Sequence, residues 1–234
     1  MEMPAALYVV GDVHGMMEPL RALERLIEAD ASTISGRKLI VMLGDYIDRG
    51  PKSARVLDHL LTSPPPGFDR ICLAGNHEET MLAFIGNPSS NAWWLDFGGR
   101  ETLMSYGIDM ADLPRGKAFA QLLASSIPPE HIAFMRELPA MLCLPGLVLV
   151  HAGVRAGVPL EAQDERDLLW LEGADETAVD ENCGYTVVHG HTIVKDVSLS
   201  SRRISVDTGA YATGRLTAIR IVPGEDMRLL TSTS

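Results

Sequence analysis

The sequence predicts an α/β fold in which short buried strands alternate with helices along the chain. Five apolar runs rich in β-branched residues have the length and composition of buried strands. They span residues 5–10, 39–43, 71–74, 147–150 and 185–188. Between the first two runs, leucine and isoleucine recur at helical spacing, as at Leu20, Leu23 and Ile27. Such alternation favours right-handed crossovers and a mostly parallel sheet.

A glycine-anchored polar cluster follows each of the five runs. The clusters are GDVHG at 11–15, GDYIDRG at 44–50, GNHE at 75–78, HAG at 151–153 and HGHT at 189–192. Glycine lets the chain turn sharply where a strand leaves its sheet, and open α/β folds bind ligands beyond the carboxyl ends of their strands. We therefore expect the Asp, His and Asn side chains of all five clusters to face one crevice.

The chain changes character beyond the third cluster. Residues 93–138 hold aromatic and leucine-rich stretches at helical spacing, which predicts a mainly helical insertion at about 90–138 that forms a cap or one wall of the site. Residues 141–150 then predict a hairpin that turns at a Pro-Gly pair. Residues 154–182 are acidic and weakly patterned, so we expect a loop with a short helix near 167–171. Further strands are expected at residues 206, 216–222 and 227–230.

Length and composition fit one soluble domain that covers residues 1–234. Hydrophobic residues make up 46% of the chain and charged residues 22%, which is ordinary for a globular protein. The formal net charge of -11, with no basic run to offset it, argues against binding to nucleic acid or to an anionic membrane. No secretion signal or long apolar span is evident, so we expect a cytoplasmic protein. Nothing in the sequence indicates an oligomeric state.

Isolated cysteines and two isolated histidines receive no chemical role. Cys72, Cys143 and Cys183 stand far apart without CxxC spacing, so neither a zinc knuckle nor a disulfide framework is indicated. His59 and His131 occur in helix-like stretches with no polar cluster around them, and we expect both to be exposed.

The first two clusters carry residues suited to a pair of metal ions. Asp12 and His14 lie two apart just beyond a strand, and alternate residues of an extended segment point the same way. Both could therefore ligate one ion. Asp45 follows the second strand, where a carboxylate with two oxygens can bridge two ions about 3.5–4 Å apart.

The chain resembles the phosphoprotein phosphatase family of metallophosphoesterases, which have a calcineurin-like fold. The resemblance lies in four motifs that occur in the family's order: GDVHG, GDYIDRG, GNHE and GHT. The similarity is greatest to the compact bacterial and phage serine/threonine protein phosphatases, and the motif region spans residues 11–210. It implies a four-layer α/β/β/α sandwich and a centre of two divalent metal ions, usually manganese, although Fe, Zn, Ni or Co also suit such ligands. It also implies hydrolysis of phosphate monoesters by direct attack of a metal-bridging hydroxide.

The resemblance assigns the metal ligands motif by motif. The first metal would be held by Asp12, His14 and Asp45. The second metal would be held by Asp45, Asn76, His151 and His191. Within HGHT, the family's ligand is the histidine between glycine and threonine, which selects His191 and leaves His189 to support the site by hydrogen bonding. Asp207 is expected to form a turn or to support the site rather than to ligate a metal.

The same motifs imply catalytic roles for three residues next to the ligands. His77 is expected to protonate the leaving group. Asp48 would accept a hydrogen bond from His77 and favour its imidazolium form, as in the family's Asp and His pair. Arg49 would bind phosphate oxygens, together with the N-terminus of a helix that Gly50 and Pro51 open.

The chain departs from the family at its phosphate-binding arginines. Ala74 stands where these phosphatases usually carry an arginine before GNHE, and no basic residue lies in the stretch just after DLLW at 167–170. Arg100 and Arg155 are candidate substitutes for substrate binding. Tyr211 is expected near the crevice, where it would shape the substrate pocket.

Three functions remain open at the level of sequence. The leading one is a phosphatase acting on a phosphorylated protein or on a small phosphoester, because GDYIDRG and GNHE have the protein phosphatase form. The second is a symmetrical dinucleoside tetraphosphate hydrolase, since these enzymes resemble the same fold and share the GDVHG opening. The third is a non-catalytic metal-binding scaffold, which would have no use for His77, Asp48 and Arg49.

Overall fold

The described chain contains nine strands in two sheets. The structure is a computed structural model that describes residues 1–172, 184–199 and 202–233. Cys183 and the end of the loop predicted at 154–182 lie outside the described residues. The strands are β1 (Ala6–Val10), β2 (Lys38–Met42), β3 (Phe68–Cys72), β4 (Met141–Leu144), β5 (Leu147–Val150), β6 (Thr186–His189), β7 (Arg203–Ser205), β8 (Arg215–Ile221) and β9 (Arg228–Thr233).

Both sheets mix parallel and antiparallel pairs. The first has the order β3-β2-β1-β8-β9, in which β1, β2 and β3 are parallel and β8 is antiparallel to both of its neighbours. The second has the order β4-β5-β6-β7, in which the β4-β5 hairpin is antiparallel, as predicted, and the other pairs are parallel. The alternation predicted a mostly parallel sheet; parallel pairs do outnumber antiparallel pairs among the described strands, but they are divided between two sheets. The first three polar clusters follow β1, β2 and β3, whereas the last two follow β5 and β6, so both sheets supply the crevice.

Helices cover the outer faces of the sheets. They are α1 (Met17–Asp30), α2 (Ser53–Leu61), α3 (Asn76–Gly86), α4 (Gly99–Ser105), α5 (Lys117–Ser126), α6 (Pro129–Glu137), α7 (Glu165–Trp170) and α8 (Ala210–Thr213). A 3₁₀ helix at Ala92–Phe97 precedes α4, so the segment at 90–138 is mainly helical. The short helix expected near 167–171 is α7, and the Asp164 side chain caps it by accepting the Arg166 N–H at 2.8 Å. That residues 1–234 form one domain stays a prediction.

Three apolar clusters separate four layers. Leu7 of β1 and Leu149 of β5 belong to the cluster between the two sheets. Tyr8, the next residue of β1, points to the opposite face and packs in the cluster beneath α1, α2 and α3. On the outer face of the second sheet, Val148 packs with Leu168 of α7. The order is helices, sheet, sheet, helix, so the four-layer α/β/β/α fold implied by the resemblance is confirmed.

Two histidines without a site role are less exposed than expected. His131 is 1% exposed, and its ring nitrogens lie 2.7 Å from the Tyr106 hydroxyl and 3.1 Å from Asp58. His59 is half-buried, with Nε2 2.7 Å from a carboxylate oxygen of Glu24. The expectation that both are exposed is wrong, because helical spacing predicts a helix but not which of its faces meets a neighbour.

None of the helices in the described ranges has the length and apolar character needed to cross a bilayer. The longest of them, α1, has 14 residues. The cytoplasmic location and the absence of membrane and nucleic-acid partners stay predictions.

Candidate active site

The backbone takes a left-handed conformation at five site residues. Within the part of the chain that the structure describes, five residues other than glycine have a positive φ, and all five belong to the predicted site. They are His14 (φ 44°), Asp45 (φ 51°), Asp48 (φ 70°), Arg49 (φ 65°) and His191 (φ 58°). Residues other than glycine rarely adopt this conformation, and such strain concentrates at functional sites. The turns after β1, β2 and β6 therefore direct these side chains toward one another.

Glu78, for which the sequence indicated no role, holds the turn after β2. Its carboxylate accepts the backbone N–H groups of Gly75 at 3.1 Å, Asp45 at 2.9 Å and Tyr46 at 2.8 Å. The side chain is 1% exposed. Glu78 is the third residue of α3, where a glutamate typical of a capping box could have indicated it. These bonds fix Asp45 relative to the start of α3.

Two groups of donor side chains meet at Asp45. His14 Nε2 lies 3.5 Å from Asp45 Oδ2. On the other side, His151 Nε2 lies 3.4 Å from Asp45 Oδ1 and 2.9 Å from Asn76 Oδ1. His191 joins this second group, with Nδ1 3.2 Å from Asn76 Oδ1. One carboxylate thus contacts both groups through different oxygens.

Hydrogen bonds to the backbone fix the tautomers of two histidines. His14 Nδ1 donates to the Ile47 carbonyl oxygen and His151 Nδ1 to that of Leu43, each at 2.8 Å. Their Nε2 atoms therefore carry the lone pairs and lie 3.5 Å and 3.4 Å from the Asp45 carboxylate. Burial lowers the pKa of His14 to about 3 and also lowers the pKa of His151, so both imidazoles are neutral at pH 7. A neutral ring with its other nitrogen bonded to a carbonyl is the usual state of a metal-ligating histidine.

Three buried carboxylates crowd this part of the site. Asp12 accepts the His191 N–H at 3.0 Å. Burial, together with the charges of Asp207 and Asp45, raises the pKa of Asp12 well above its usual range. Asp207 also accepts a backbone N–H two residues on, as expected of a turn residue. A Cβ on Gly190 would overlap the Asp12 carboxylate, so the glycine of HGHT permits this approach. A cation bound among these carboxylates would offset their mutual repulsion and favour their charged forms.

The donors fit a centre of two divalent ions. Among the described residues, buried side-chain atoms without a hydrogen-bond partner include His77 Nε2, Asn76 Nδ2 and His191 Nε2. Asn76 and His191 belong to the second group, and His77 Nε2 lies 3.8 Å from Asp45 Oδ2. Carboxylate, amide and imidazole donors without a thiolate suit Mn²⁺ and similar ions. The buried His and Asp groups therefore have the composition, and the shared carboxylate, of a dinuclear metal site.

A buried pair, His77 and Asp48, adjoins the first group. His77 Nδ1 donates to Asp48 Oδ2 at 2.6 Å, while its Nε2 faces Asp45 Oδ2 at 3.8 Å. Trp94 donates its indole N–H to Asp48 Oδ2 at 2.7 Å, and Thr102 donates its hydroxyl to Oδ1 at 2.5 Å. Three side chains therefore hold this carboxylate. Trp94 and Thr102 come from the helical segment, 46 and 54 positions along the chain, and no spacing in the sequence indicated these contacts.

Arg49 lies between two aromatic rings beside His14. Its guanidinium carbon is 4.8 Å from the ring centroid of Tyr211 and 5.5 Å from that of Phe97. Nη1 lies 3.2 Å from His14 Nε2. Phe97 also stacks on His77, with ring centroids 4.2 Å apart and planes 7° from parallel. Arg49 and Tyr211 are thus both brought to the site, together with Phe97, which the sequence did not indicate.

The helix expected to open at Gly50 begins later. α2 starts at Ser53, and Gly50 and Pro51 lie in the preceding turn, which is closed by the Gly50 N–H on the Asp48 carbonyl at 2.6 Å. The prediction that these two residues open a helix beside Arg49 is wrong, because that tight turn comes first. The Ser53 hydroxyl accepts the Asp48 N–H at 3.0 Å, which ties the helix start to the site.

Arg100 and Arg155 lie on cavity walls rather than among the donor groups. Arg100 pairs with Asp96 at 3.1 Å and lines a cavity of about 560 Å³ beside Arg49. Arg155 forms two hydrogen bonds of 2.6 Å with Asp167 and lines a cavity of about 770 Å³. Each guanidinium is already paired with a carboxylate, which weakens its capacity to replace the missing family arginine.

Comparisons with known sequences agree with this geometry. The family model of the calcineurin-like phosphoesterases matches residues 6–219. The chain is 25% identical over 232 residues to the asymmetrical bis(5′-nucleosyl)-tetraphosphatase PrpE of Bacillus cereus, a match that covers 91% of this chain and 89% of the relative.

Solved structures share the fold. A crystal structure described as that of a candidate diadenosine tetraphosphatase aligns with a TM-score of 0.66 and 21% identity, over 99% of this chain and 97% of its own. A protein serine/threonine phosphatase from Saccharomyces cerevisiae aligns with a TM-score of 0.62 and 14% identity, over 98% of this chain and 80% of its own. At such identities the likeness shows the fold alone. Because the family match spans residues 6–219 and the buried His and Asp groups meet at a shared carboxylate, the chain belongs to the calcineurin-like phosphoesterase family and is a metal-dependent phosphoesterase.

Proposed function

We propose that this phosphoesterase hydrolyses nucleoside polyphosphates of the bis(5′-nucleosyl) tetraphosphate class, with asymmetrical cleavage. The observation that carries the hydrolytic chemistry is the position of His77 against Asp45, where both donor groups meet. The substrate class is supported by curated relatives of that name, which align with 91% of the chain. The symmetrical cleavage considered from the motifs differs from the asymmetrical cleavage for which these relatives are named.

The metal ligands of the proposal come from the two donor groups. The first ion is assigned to Asp12, His14 and Asp45. The second ion is assigned to Asp45, Asn76, His151 and His191. Two divalent ions bound there, with Mn²⁺ the expected metal, supply Lewis acidity and activate water at neutral pH. The chain holds these donors buried, with at least His14 and His151 fixed in the ligating tautomer before substrate binds.

His77 is the proton donor of the proposal. As the P–O bond to the leaving group breaks, His77 Nε2 gives a proton to the departing oxygen. Asp48 Oδ2 accepts a hydrogen bond from the Nδ1–H of His77 at 2.6 Å. This bond leaves Nε2 as the ring nitrogen directed toward Asp45. Trp94 and Thr102 keep Asp48 in position through their own hydrogen bonds to its carboxylate. The helical segment therefore takes part in catalysis by orienting this pair.

Arg49 binds phosphate oxygens in this scheme. A guanidinium presents paired N–H donors to a phosphate, and the flanking Phe97 and Tyr211 rings restrict its orientation. Arg100 and Arg155 would contact parts of the substrate farther from the reacting phosphorus, since each is held by a carboxylate on a cavity wall.

A phosphatase acting on phosphoserine, phosphothreonine or a small phosphomonoester is the second candidate. The buried His77–Asp48 pair favours it, because an alcohol leaving group needs a proton more than a nucleotide leaving group of low pKa does. The protein phosphatase forms of GDYIDRG and GNHE agree with this candidate.

A substrate panel on manganese-loaded protein separates the candidates. The kcat/KM values for diadenosine tetraphosphate, a phosphoserine peptide and an alkyl phosphate should rank the dinucleotide first, and chromatography should show ATP and AMP as products. Two ADP molecules would contradict asymmetrical cleavage, and a higher kcat/KM for the phosphopeptide would support the second candidate. The isosteric Asp45→Asn variant is the control for contaminating activity.

A further inference from the structure

Three aromatic residues form a wall that leads away from His77. This aromatic wall consists of Phe97, Trp93 and Trp170. Phe97 stacks on the His77 ring at 4.2 Å. The Trp170 ring lies 6.2 Å from Phe97 at an angle of 19°, and the Trp93 ring lies 5.6 Å from Phe97 and 6.5 Å from Trp170. A continuous series of ring contacts therefore connects the proton donor to the two tryptophans.

The two tryptophans line the cavity of about 770 Å³, which is within the size range of small-molecule sites. Trp93 is 50% exposed, so much of its ring is available for contact. Trp170 is held in place, because its indole N–H donates to a Glu79 carboxylate oxygen at 2.5 Å. The cavity thus has one accessible ring and one anchored ring.

The direction of the proposed reaction points to this cavity. His77 gives its proton to the leaving oxygen, so the leaving group must lie against His77. The aromatic wall begins at that ring, with Phe97 on its face. A group that is attached to the leaving oxygen and follows this wall reaches Trp93 and Trp170.

The charged side chains that line the cavity favour binding of an uncharged ring over binding of a further phosphate group. Glu79, Asp167 and Glu172 place three carboxylates on its walls, against two guanidinium groups, those of Arg166 and of Arg155, which is already bonded to Asp167. An additional polyanion would meet these carboxylates, whereas a nucleobase is uncharged and can stack on indole. Carboxylate oxygens can also accept the amino N–H groups of a base.

We infer that this cavity binds the nucleobase of the leaving nucleotide, stacked against Trp93 and Trp170. The inference rests on the function proposed above. Base–aromatic stacking of this kind contributes about 5- to 150-fold in affinity per base. Discrimination between bases is expected to be modest, because every base presents a π-face.

A matched pair of non-hydrolysable probes tests this inference on manganese-loaded protein. Calorimetry would compare the Kd of adenosine 5′-(α,β-methylene)diphosphate with that of methylenediphosphonate, which lacks the nucleoside. We expect the nucleoside to tighten binding at least about fivefold in the wild-type protein. Trp93→Leu and Trp170→Leu should bring this ratio toward one, whereas Trp93→Phe, which keeps an aromatic ring, should retain most of it.

The outcomes separate this inference from the proposed function. Equal Kd values for the two probes in the wild-type protein, or a ratio that survives both leucine variants, would overturn the base site while leaving turnover of the dinucleotide untouched. Absence of dinucleotide turnover would instead overturn the proposed function. A phosphoserine peptide that binds more tightly than the nucleotide, and loses that advantage in Trp93→Leu, would also overturn the inference. Because Trp93 is half exposed, its leucine variant should fold even if Trp170→Leu does not.

Discussion

Trp94→Phe should destabilise the protein through Asp48. The variant keeps an aromatic ring but loses the indole N–H that donates to Asp48 Oδ2 at 2.7 Å, and both side chains are fully buried. A hydrogen bond to a charged group contributes about 1.5–3 kcal/mol, and the remaining donors to Asp48 cannot replace it without moving. In a chain of this size, 1 kcal/mol shifts Tm by about 2–4 °C, so we expect Tm to fall by about 3–12 °C.

Its neighbour supplies a matched control. Trp93→Phe makes the same chemical change at a ring that is 50% exposed and has no bond to Asp48, so its effect on stability should stay within about 0.5 kcal/mol. Calorimetric melting of both metal-loaded variants measures the difference, and kcat for an alkyl phosphate should fall only in Trp94→Phe. Equal melting temperatures and equal kcat values in the two variants would refute the role of Trp94 in holding Asp48.

Three further substitutions test the chemistry. His77→Asn should lower kcat by about 10²- to 10⁴-fold for an alkyl phosphate, and less for an aryl phosphate whose leaving group needs no proton; equal losses would count against His77 as proton donor. Arg49→Ala should raise KM and lower kcat together, with kcat/KM reduced about 10- to 150-fold for a contact of about 1.5–3 kcal/mol, whereas Arg100→Ala should have a smaller effect because Asp96 already holds Arg100. Ala74→Arg should cost about 1–3 kcal/mol of stability, because Ala74 is only 9% exposed and a longer side chain would overpack its surroundings. An unchanged Tm with tighter inhibition by inorganic phosphate would show that the site has room for the missing arginine.

The parts of the fold that were predictable depend on local sequence. Strand ends followed by glycine and polar residues are visible in a single short window, and the structure brings Asp12, His14 and Asp45 together at such turns. The positive φ at His14 and Asp45 was not predicted, because Asp and His adopt a left-handed conformation more often than most residues but still only rarely. Division of the clusters between two sheets was equally hidden in the alternation, because strand order within a sheet does not follow chain order: β1 lies between β2 and β8, and β8 comes more than 200 residues later.

The residues that the sequence did not indicate act over long distances in the chain. Trp94 and Thr102 reach Asp48 only because the helical segment folds back over the turn after β2. Phe97 reaches His77 in the same way. Such contacts depend on how helices pack, which residue spacing does not report. Glu78 differs, because a glutamate at the third position of a helix is a local sequence signal of a capping box and could have indicated its role.

Metal content of Asp45→Asn tests the central claim most directly. Asp45 contacts the His14 group through Oδ2 and the His151 group through Oδ1, so a neutral amide at this position should bridge two cations poorly. Elemental analysis of purified, manganese-loaded protein should find two ions per chain in the wild-type protein and fewer in the variant, with most turnover lost and the fold retained. An Asp45→Asn protein that keeps two tightly bound ions and normal turnover would contradict a centre built on this shared carboxylate.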